Sequence, residues 1–492
     1  MKDRFVGAGL AAGSFLLLLY RYWFPPEKIF DEVYFARAAE EYLQRRYIYE
    51  NTHPPVTKLL ITFSTILFGG LHRGDTSAGW RFLDVVAGAL AVWLLFVLAR
   101  RITHSTLYGA YAAGLFALDG MHFVQSRIAT PESFVVCFSL ATLYTFYRYW
   151  EILVTRAARP LPISSARLWL GAAGACICAV AGVALRFPHE SRPAQIAAAV
   201  IAAAALYVVY RVLLRPPEGW RWLALFTVSA ALLVASKWYG VMAYGVAFTI
   251  VAGTTAYAAY KRRRPQFPVD LVAASVIAAF GIVYALAYIP HFIGLRDLQT
   301  QPPRPYTLSD IVTMQVNAYL YHAHLDAKHP YSSLWWQWPL DLRPVLYYAT
   351  YGHERGVNTA AIITSLASPI LLWLGLVTVP AVGILAILER NRGYALVVLT
   401  YLAQWLPWMF SPRIAFAYHF YVDIPLICLC SAIAMQRLYA WMRDSDLNAA
   451  RTIVAGYFAV AAAWFVYYYP ILSGMTIPYA SWMQRMWLHS WI

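Results

Sequence analysis

Residues 1–35 read MKDRFVGAGLAAGSFLLLLYRYWFPPEKIFDEVYF. Lys2 and Arg4 precede an apolar run from Phe5 to Trp23 that is long enough to cross about 30 Å of hydrocarbon. A cleaved leader would end on small residues; Tyr20-Arg21-Tyr22-Trp23 offers none, so the run reads as a retained first span. Two carboxylates, Asp31 and Glu32, follow as soon as the chain leaves it.

The remainder has the same character. Across 492 residues, 61% are hydrophobic and only 13% charged, so the chain could not solvate the surface of a soluble fold of this size. Apolar stretches recur near 5–24, 80–99, 105–122, 132–150, 168–185, 195–214, 221–237, 240–259, 269–289, 361–388, 394–410, 415–436 and 451–470, which predicts about 13 membrane helices. Cys137, Cys176, Cys178, Cys428 and Cys430 all lie inside such stretches, where a thiol serves as a small apolar group, and neither a disulfide nor a metal cage is expected. The fold class is an all-α polytopic membrane protein, a single domain over 1–492.

A formal charge of +15 could suit nucleic acid, but the basic residues form no separate domain and sit in short connections. Arg100-Arg101, the Arg148–Arg167 segment, Arg211–Arg221, Lys261–Arg264, Arg390 and Arg392, and Arg437, Arg443 and Arg451 all share the side of the N-terminus. Positive residues resist translocation, so that side is the cytoplasm and the chain reads as an inner-membrane protein. The opposite, extracytoplasmic face receives two long segments, 25–79 and 290–360; the second is rich in Trp, Tyr, His and Pro. Loops of that length without a task are uncommon.

The polar residues of that face need reasons. Asp31-Glu32 opens a helical-looking stretch, where carboxylates also suit the helix dipole; consecutive helical residues point about 100° apart, so one can face a site while the other pairs. His53-Pro54-Pro55 stiffens a turn, and Lys58 re-enters an apolar stretch, where it can snorkel. Arg81, Arg127, Lys237 and Arg413 all fall at outer helix ends, against the topogenic trend. Lipid headgroups could account for one or two of them; four ask for an anionic ligand, and a lipid-linked phosphate would meet that need.

Five ordered blocks carry a resemblance. Phe30-Asp31-Glu32-Val33-Tyr34-Phe35, His53-Pro54-Pro55-Val56-Thr57-Lys58, the run Leu118–Arg127, the aromatic block His329–Pro339 and the run Pro412–His419 resemble protein O-mannosyltransferases, in the shorter bacterial form, a branch of the GT-C glycosyltransferases. The resemblance implies a GT-C-type helical bundle with short juxtamembrane helices in its first, catalytic loop. It implies Asp31 as catalytic base with Glu32 as its acidic neighbour, and His53 and Lys58 as shapers of that loop. Arg81, Arg127, Lys237 and Arg413 become candidates for the carrier phosphate, Arg127 the best matched. Trp335, Trp336 and His419 fall in the aromatic and late Arg-and-His blocks, where rings could line the sugar or acceptor approach or anchor at the interface. Thr130-Pro131-Glu132 departs from the family's aspartate-bearing turn, which leaves the partner role of Glu132 open.

The implied reaction passes a mannose or related hexose from a polyprenyl-phosphate sugar to a Ser or Thr hydroxyl of an exported protein, with inversion and no nucleic acid involved. No obligatory cofactor is expected, although Asp31, Glu32 and Glu132 could converge on Mg or Mn. A GT-C transferase acting on a glycolipid or lipid A headgroup is the nearest rival. A lipid-linked sugar transporter would instead want ionisable residues at the bilayer midplane.

Overall fold

A computed structural model describes residues 2–155, 165–214, 216–262, 266–293, 295–297, 304–325 and 327–492. Arg156, Arg159, Arg215, Arg263 and Arg264, which belong to the topogenic charge clusters, fall outside them. Two compact units emerge: Met1–Leu43, Thr57–Leu140 and Ala323–Ile492 form the first, and Gln44–Val56 with Ala141–His322 the second.

In chain order, α1 (Lys2–Leu19) leads to α2 (Glu32–Leu43), α3 (Val56–Leu67), α4 (Ser77–Thr103), α5 (Thr106–Ala117), α6 (Gly120–Gln125) and α7 (Glu132–Thr155). Then come α8 (Ser165–Arg186), α9 (Arg192–Leu214), α10 (Trp220–Ser236), α11 (Val241–Tyr260), α12 (Val269–Ala287) and α13 (Leu308–Ala323). A hairpin of β1 (Val345–Glu354) and β2 (Val357–Ser365) precedes α14 (Pro369–Leu388), α15 (Arg392–Trp405), α16 (Ile424–Met442), α17 (Leu447–Ser473) and β3 (Thr476–Pro478).

Side-chain caps set several of the boundaries in the first unit. Thr76 Oγ1 accepts from Gly79 N at the start of α4, and Ser105 Oγ accepts from Tyr108 N at the start of α5. Asp119 does more: Oδ1 accepts from His122 N at 2.9 Å, which caps α6, while Oδ2 accepts from Ser368 N at 2.8 Å, which ties α6 to the entry of α14. One carboxylate thereby holds together two segments 249 residues apart.

Eight helices among the described residues have the length and hydropathy to cross a membrane, and the chain is a multi-pass membrane protein. The thirteen apolar stretches reduce to eight by this measure because several helices break early. α5 has 12 residues, which span only about 18 Å, before the chain turns at Leu118-Asp119. α15 has 14 residues and gives way to the 3-10 turn Leu406–Phe410.

To the helices, residues 345–365 add a β-hairpin. β1 and β2 pair antiparallel from Val345↔Ser365 to Glu354↔Val357, and β3 pairs with the far edge of β2. The two residues of the turn, Arg355 (φ 50°) and Gly356 (φ 79°), are both left-handed, the requirement of the tightest hairpin turns. The buried half of β2 packs on α6 and α17, and the core there gathers Leu18, Val85, Phe123, Ile362, Tyr468 and Leu472.

Gly120 marks the tightest point of that packing, since a Cβ on it would lie 2.4 Å from the Leu366 carbonyl oxygen. Gly120→Ala is expected to destabilise the first unit by about 1–3 kcal/mol. Thermal unfolding in detergent, read by intrinsic tryptophan fluorescence, checks this; an unchanged midpoint would show that the backbone yields there.

Candidate active site

The site begins with the segment between α1 and α2. Its twelve residues contain Arg21 (φ 55°) and Phe30 (φ 48°), two side-chain-bearing residues in the left-handed region, where backbone strain must be held by surrounding contacts. The holding contact is an ion pair. Arg81, near the start of α4, and Glu32, the first residue of α2, are both fully buried and meet as a fork on a carboxylate: Nε to Oε1 at 2.6 Å and Nη2 to Oε2 at 2.7 Å.

The remaining guanidinium donors go to the loop itself. Nη1 donates to the carbonyls of Tyr22 and Pro25, and Nη2 also donates to that of Glu27. Glu32 in turn accepts from Ile29 N at 3.0 Å and from Ala129 N at 2.9 Å. Arg81 is thus a fastener for the first loop. Its guanidinium is engaged inward, so the expectation that it grips a phosphate gives way to a structural task.

With Glu32 locked, its neighbour Asp31 is turned elsewhere. Asp31 is half-buried, and its carbonyl accepts from Tyr34 N and Phe35 N, so it caps α2 with its side chain at the positive end of the helix. Phe30, just before it, stacks on Tyr347 of β1 at 4.4 Å between ring centroids and meets Tyr418 edge-on at 5.7 Å. The Tyr347 hydroxyl is buried and accepts from Gln125 Nε2 at 2.7 Å. Burial, then the charges of Glu132 and Asp31, hold that hydroxyl protonated well above the usual tyrosine range. A carboxylate, a neutral phenol and an amide therefore share one neighbourhood.

Arg127 follows α6. Its Nη2 donates to the Tyr20 carbonyl at 3.0 Å, its guanidinium lies over the Phe123 ring at 4.4 Å, and its buried Nε has no partner. Burial pulls its pKa down to about 10. Phe24, Ile29 and Tyr347 line a small cavity with it. Glu132 is buried in the first turn of α7, and Lys58 is buried in α3.

A second feature of the first unit is an open cleft of about 420 Å³, lined among others by Ser333, Trp335, Gln337, Trp408 and Arg413. It brings together two of the expected residues, Trp335 and Arg413. The Trp335 carbonyl accepts from Trp405 Nε1, which fixes this wall. Trp336 is exposed outside the lining. His419 is not in the lining itself but backs it, its buried ring 4.4 Å from that of the lining Trp408, in a stack with Tyr418 and Trp338 and with Nδ1 3.0 Å from the Phe416 carbonyl.

His53 and Lys237 belong to the second unit. His53 is held by Glu50, whose carboxylate meets its Nδ1 at 2.9 Å and accepts from its backbone N, and its ring lies 5.0 Å from that of His322. Lys237 ends α10 with its ammonium over the Tyr239 ring. Among the described residues, no three His, Cys, Asp or Glu side chains gather as a metal cage requires, so Asp31, Glu32 and Glu132 do not form one.

Tyr347 is the residue near Asp31 that motif reading passes over, whereas Gln125, its partner, lies inside the block Leu118–Arg127. The signal for Tyr347 was the hairpin itself: Arg355-Gly356 between two runs rich in aromatic and β-branched residues.

Residues 10–184 match the family model of dolichyl-phosphate-mannose-protein mannosyltransferase, and residues 307–491 match that of the C-terminal four TMM region of protein-O-mannosyltransferase. This chain belongs to the protein O-mannosyltransferase family. Family members named polyprenol-phosphate-mannose–protein mannosyltransferase, from Mycobacterium tuberculosis and Mycolicibacterium smegmatis, are 27% and 28% identical to it over 94% of this chain, and the matches cover 86% and 87% of their own lengths. In fold, it is similar to a chain of the S. cerevisiae protein O-mannosyltransferase Pmt1–Pmt2 complex bound to the sugar donor, with a TM-score of 0.71 at 13% identity over 100% of this chain and 93% of that one. The fold is the GT-C type that the resemblance implied.

Removing one member of the Glu32–Arg81 pair strands a buried charge. Arg81→Met is expected to cost about 3–5 kcal/mol, whereas Glu32→Met combined with Arg81→Met should cost less than the sum of the two single changes. Unfolding midpoints of the three purified variants measure the coupling, and strict additivity would mean that the pair is not the fastener.

Proposed function

We propose that this protein transfers mannose from a polyprenyl-phosphate-mannose donor to Ser or Thr hydroxyls of exported proteins. Membership of the family and similarity to bacterial relatives bearing that activity in their names support the substrate class. The observation that carries the catalytic part is the division of labour between two adjacent carboxylates: Glu32 is fully engaged by Arg81, while Asp31 stands half-buried at the helix start.

In this reading Asp31 accepts the hydroxyl proton as the acceptor oxygen bonds to the anomeric carbon. The bond from that carbon to the carrier phosphate breaks in the same displacement, with inversion, and polyprenyl phosphate leaves as an anion. Arg127, whose buried Nε is without a partner, and Arg413 in its cleft are the cations assigned to that charge, while nothing in the reading rests on Lys237 or His53. Cationic side chains stabilise this leaving group without a resident metal, so none is required. The site is assigned to the extracytoplasmic face of the inner membrane, with a cytoplasmic N-terminus. The clustering of basic loops supports this, as does the ion pair of Asp3 with Arg100, which puts the start of α1 beside the basic end of α4.

Asp31→Asn is expected to lower transfer of labelled mannose from polyprenyl-phosphate-mannose to a Ser/Thr-rich peptide by about 10²–10⁴-fold, with the variant still present in the membrane at wild-type level. Full activity would remove Asp31 from the mechanism, and a labelled lipid in place of labelled peptide would redirect the reading to a lipid acceptor. A chelator such as EDTA is expected to leave the rate unchanged; loss of activity restored by Mg or Mn would overturn the metal-free account.

A further inference from the structure

We infer that the open edge of β1 is a docking strip on which an extended acceptor polypeptide pairs as an added strand; this rests on the protein-acceptor reading above. In the sheet order β1-β2-β3, β1 is an edge. Glu354↔Val357 flanks a two-residue turn and is therefore a hydrogen-bonded pair, so Gly352 and Thr350 also face β2 while His353, Tyr351 and Ala349 turn their N–H and C=O groups outward. Residues 349–354 are all exposed.

Such an edge invites pairing with another chain, and proteins usually blunt it with a proline, a lysine, a bulge or a cover. The exposed half of β1, Ala-Thr-Tyr-Gly-His-Glu, has no proline and no lysine, and the register shift lies between Leu346 and Tyr348, in its other half. β3, at the opposite edge of the sheet, is three residues long and ends in Pro478. One edge is closed and the other left open.

The occupant follows from where the open edge leads. Two residues before Ala349 lies Tyr347, stacked on Phe30, the residue that precedes Asp31. A chain paired along Ala349–His353 covers about 14 Å at about 3.4 Å per residue and runs toward the proposed base. Backbone pairing also suits an enzyme whose acceptors would share a hydroxyl and an extended backbone more than a side-chain sequence.

Acceptor peptides N-methylated at successive positions flanking the target Ser or Thr test the pairing. KM is expected to rise about tenfold at every second position and to stay level at those between, with kcat unchanged throughout. Ala349→Pro, which removes an outward N–H and leaves the β1–β2 ladder intact, should raise peptide KM by a similar factor at constant kcat. A methylation profile without the two-residue period, while wild-type enzyme still glycosylates the peptide, overturns the strand pairing alone; failure of wild-type enzyme to use any peptide overturns the acceptor reading with it. If Ala349→Pro instead abolishes a dimer in detergent and leaves peptide KM untouched, the edge pairs two copies of this chain and the inference is wrong. Should the proline variant not fold, the methylation series decides by itself.

Discussion

A buried charge cannot be left unpaired, and the first unit is arranged around that constraint. Glu32 and Arg81 are wholly withdrawn from solvent, and each satisfies the other along with backbone groups of the 20–31 segment and of residue 129. Charge-assisted hydrogen bonds of this kind are short and directional, so they pin the segment in one conformation despite left-handed backbone at Arg21 and Phe30. Everything proposed for Asp31 inherits its position from that clamp.

The same logic separates the roles of two residues that are neighbours in sequence and identical in charge. On a helix the second carboxylate points about 100° from the first, so locking one inward aims the other. The charge of Asp31 reaches the buried Tyr347 phenol, which burial holds neutral and to which the Gln125 amide donates. Arg127, whose buried Nε has no partner, lines the same small cavity as Tyr347.

Legibility in the sequence followed the range of the interaction. Spans and the start of α2 depend on residues close together in the chain, and a stretch such as Phe5–Trp23, or the one that Asp31-Glu32 opens, announces them. The β-hairpin was less visible because Arg355-Gly356 is a weak turn signal and its strands sit in a segment whose aromatic residues read equally well as interface anchors. Span count suffered for a related reason: hydropathy runs on through Leu118 and Leu406, where the backbone stops being α-helical.

Composition and motif spacing alone determined that this is a polytopic membrane protein with an acidic pair beyond its first helix and cations against the topogenic trend, because apolar length and charge placement are local properties of the chain. Which partners each cation meets was decided only by the tertiary structure. Arg81 looked like Arg127 in sequence, yet its partner Glu32 lies 49 residues earlier, and pairing across such a separation is set by how helices pack rather than by any pattern along the chain. Tyr347, 222 residues from the Gln125 that holds it, joined the site for the same reason.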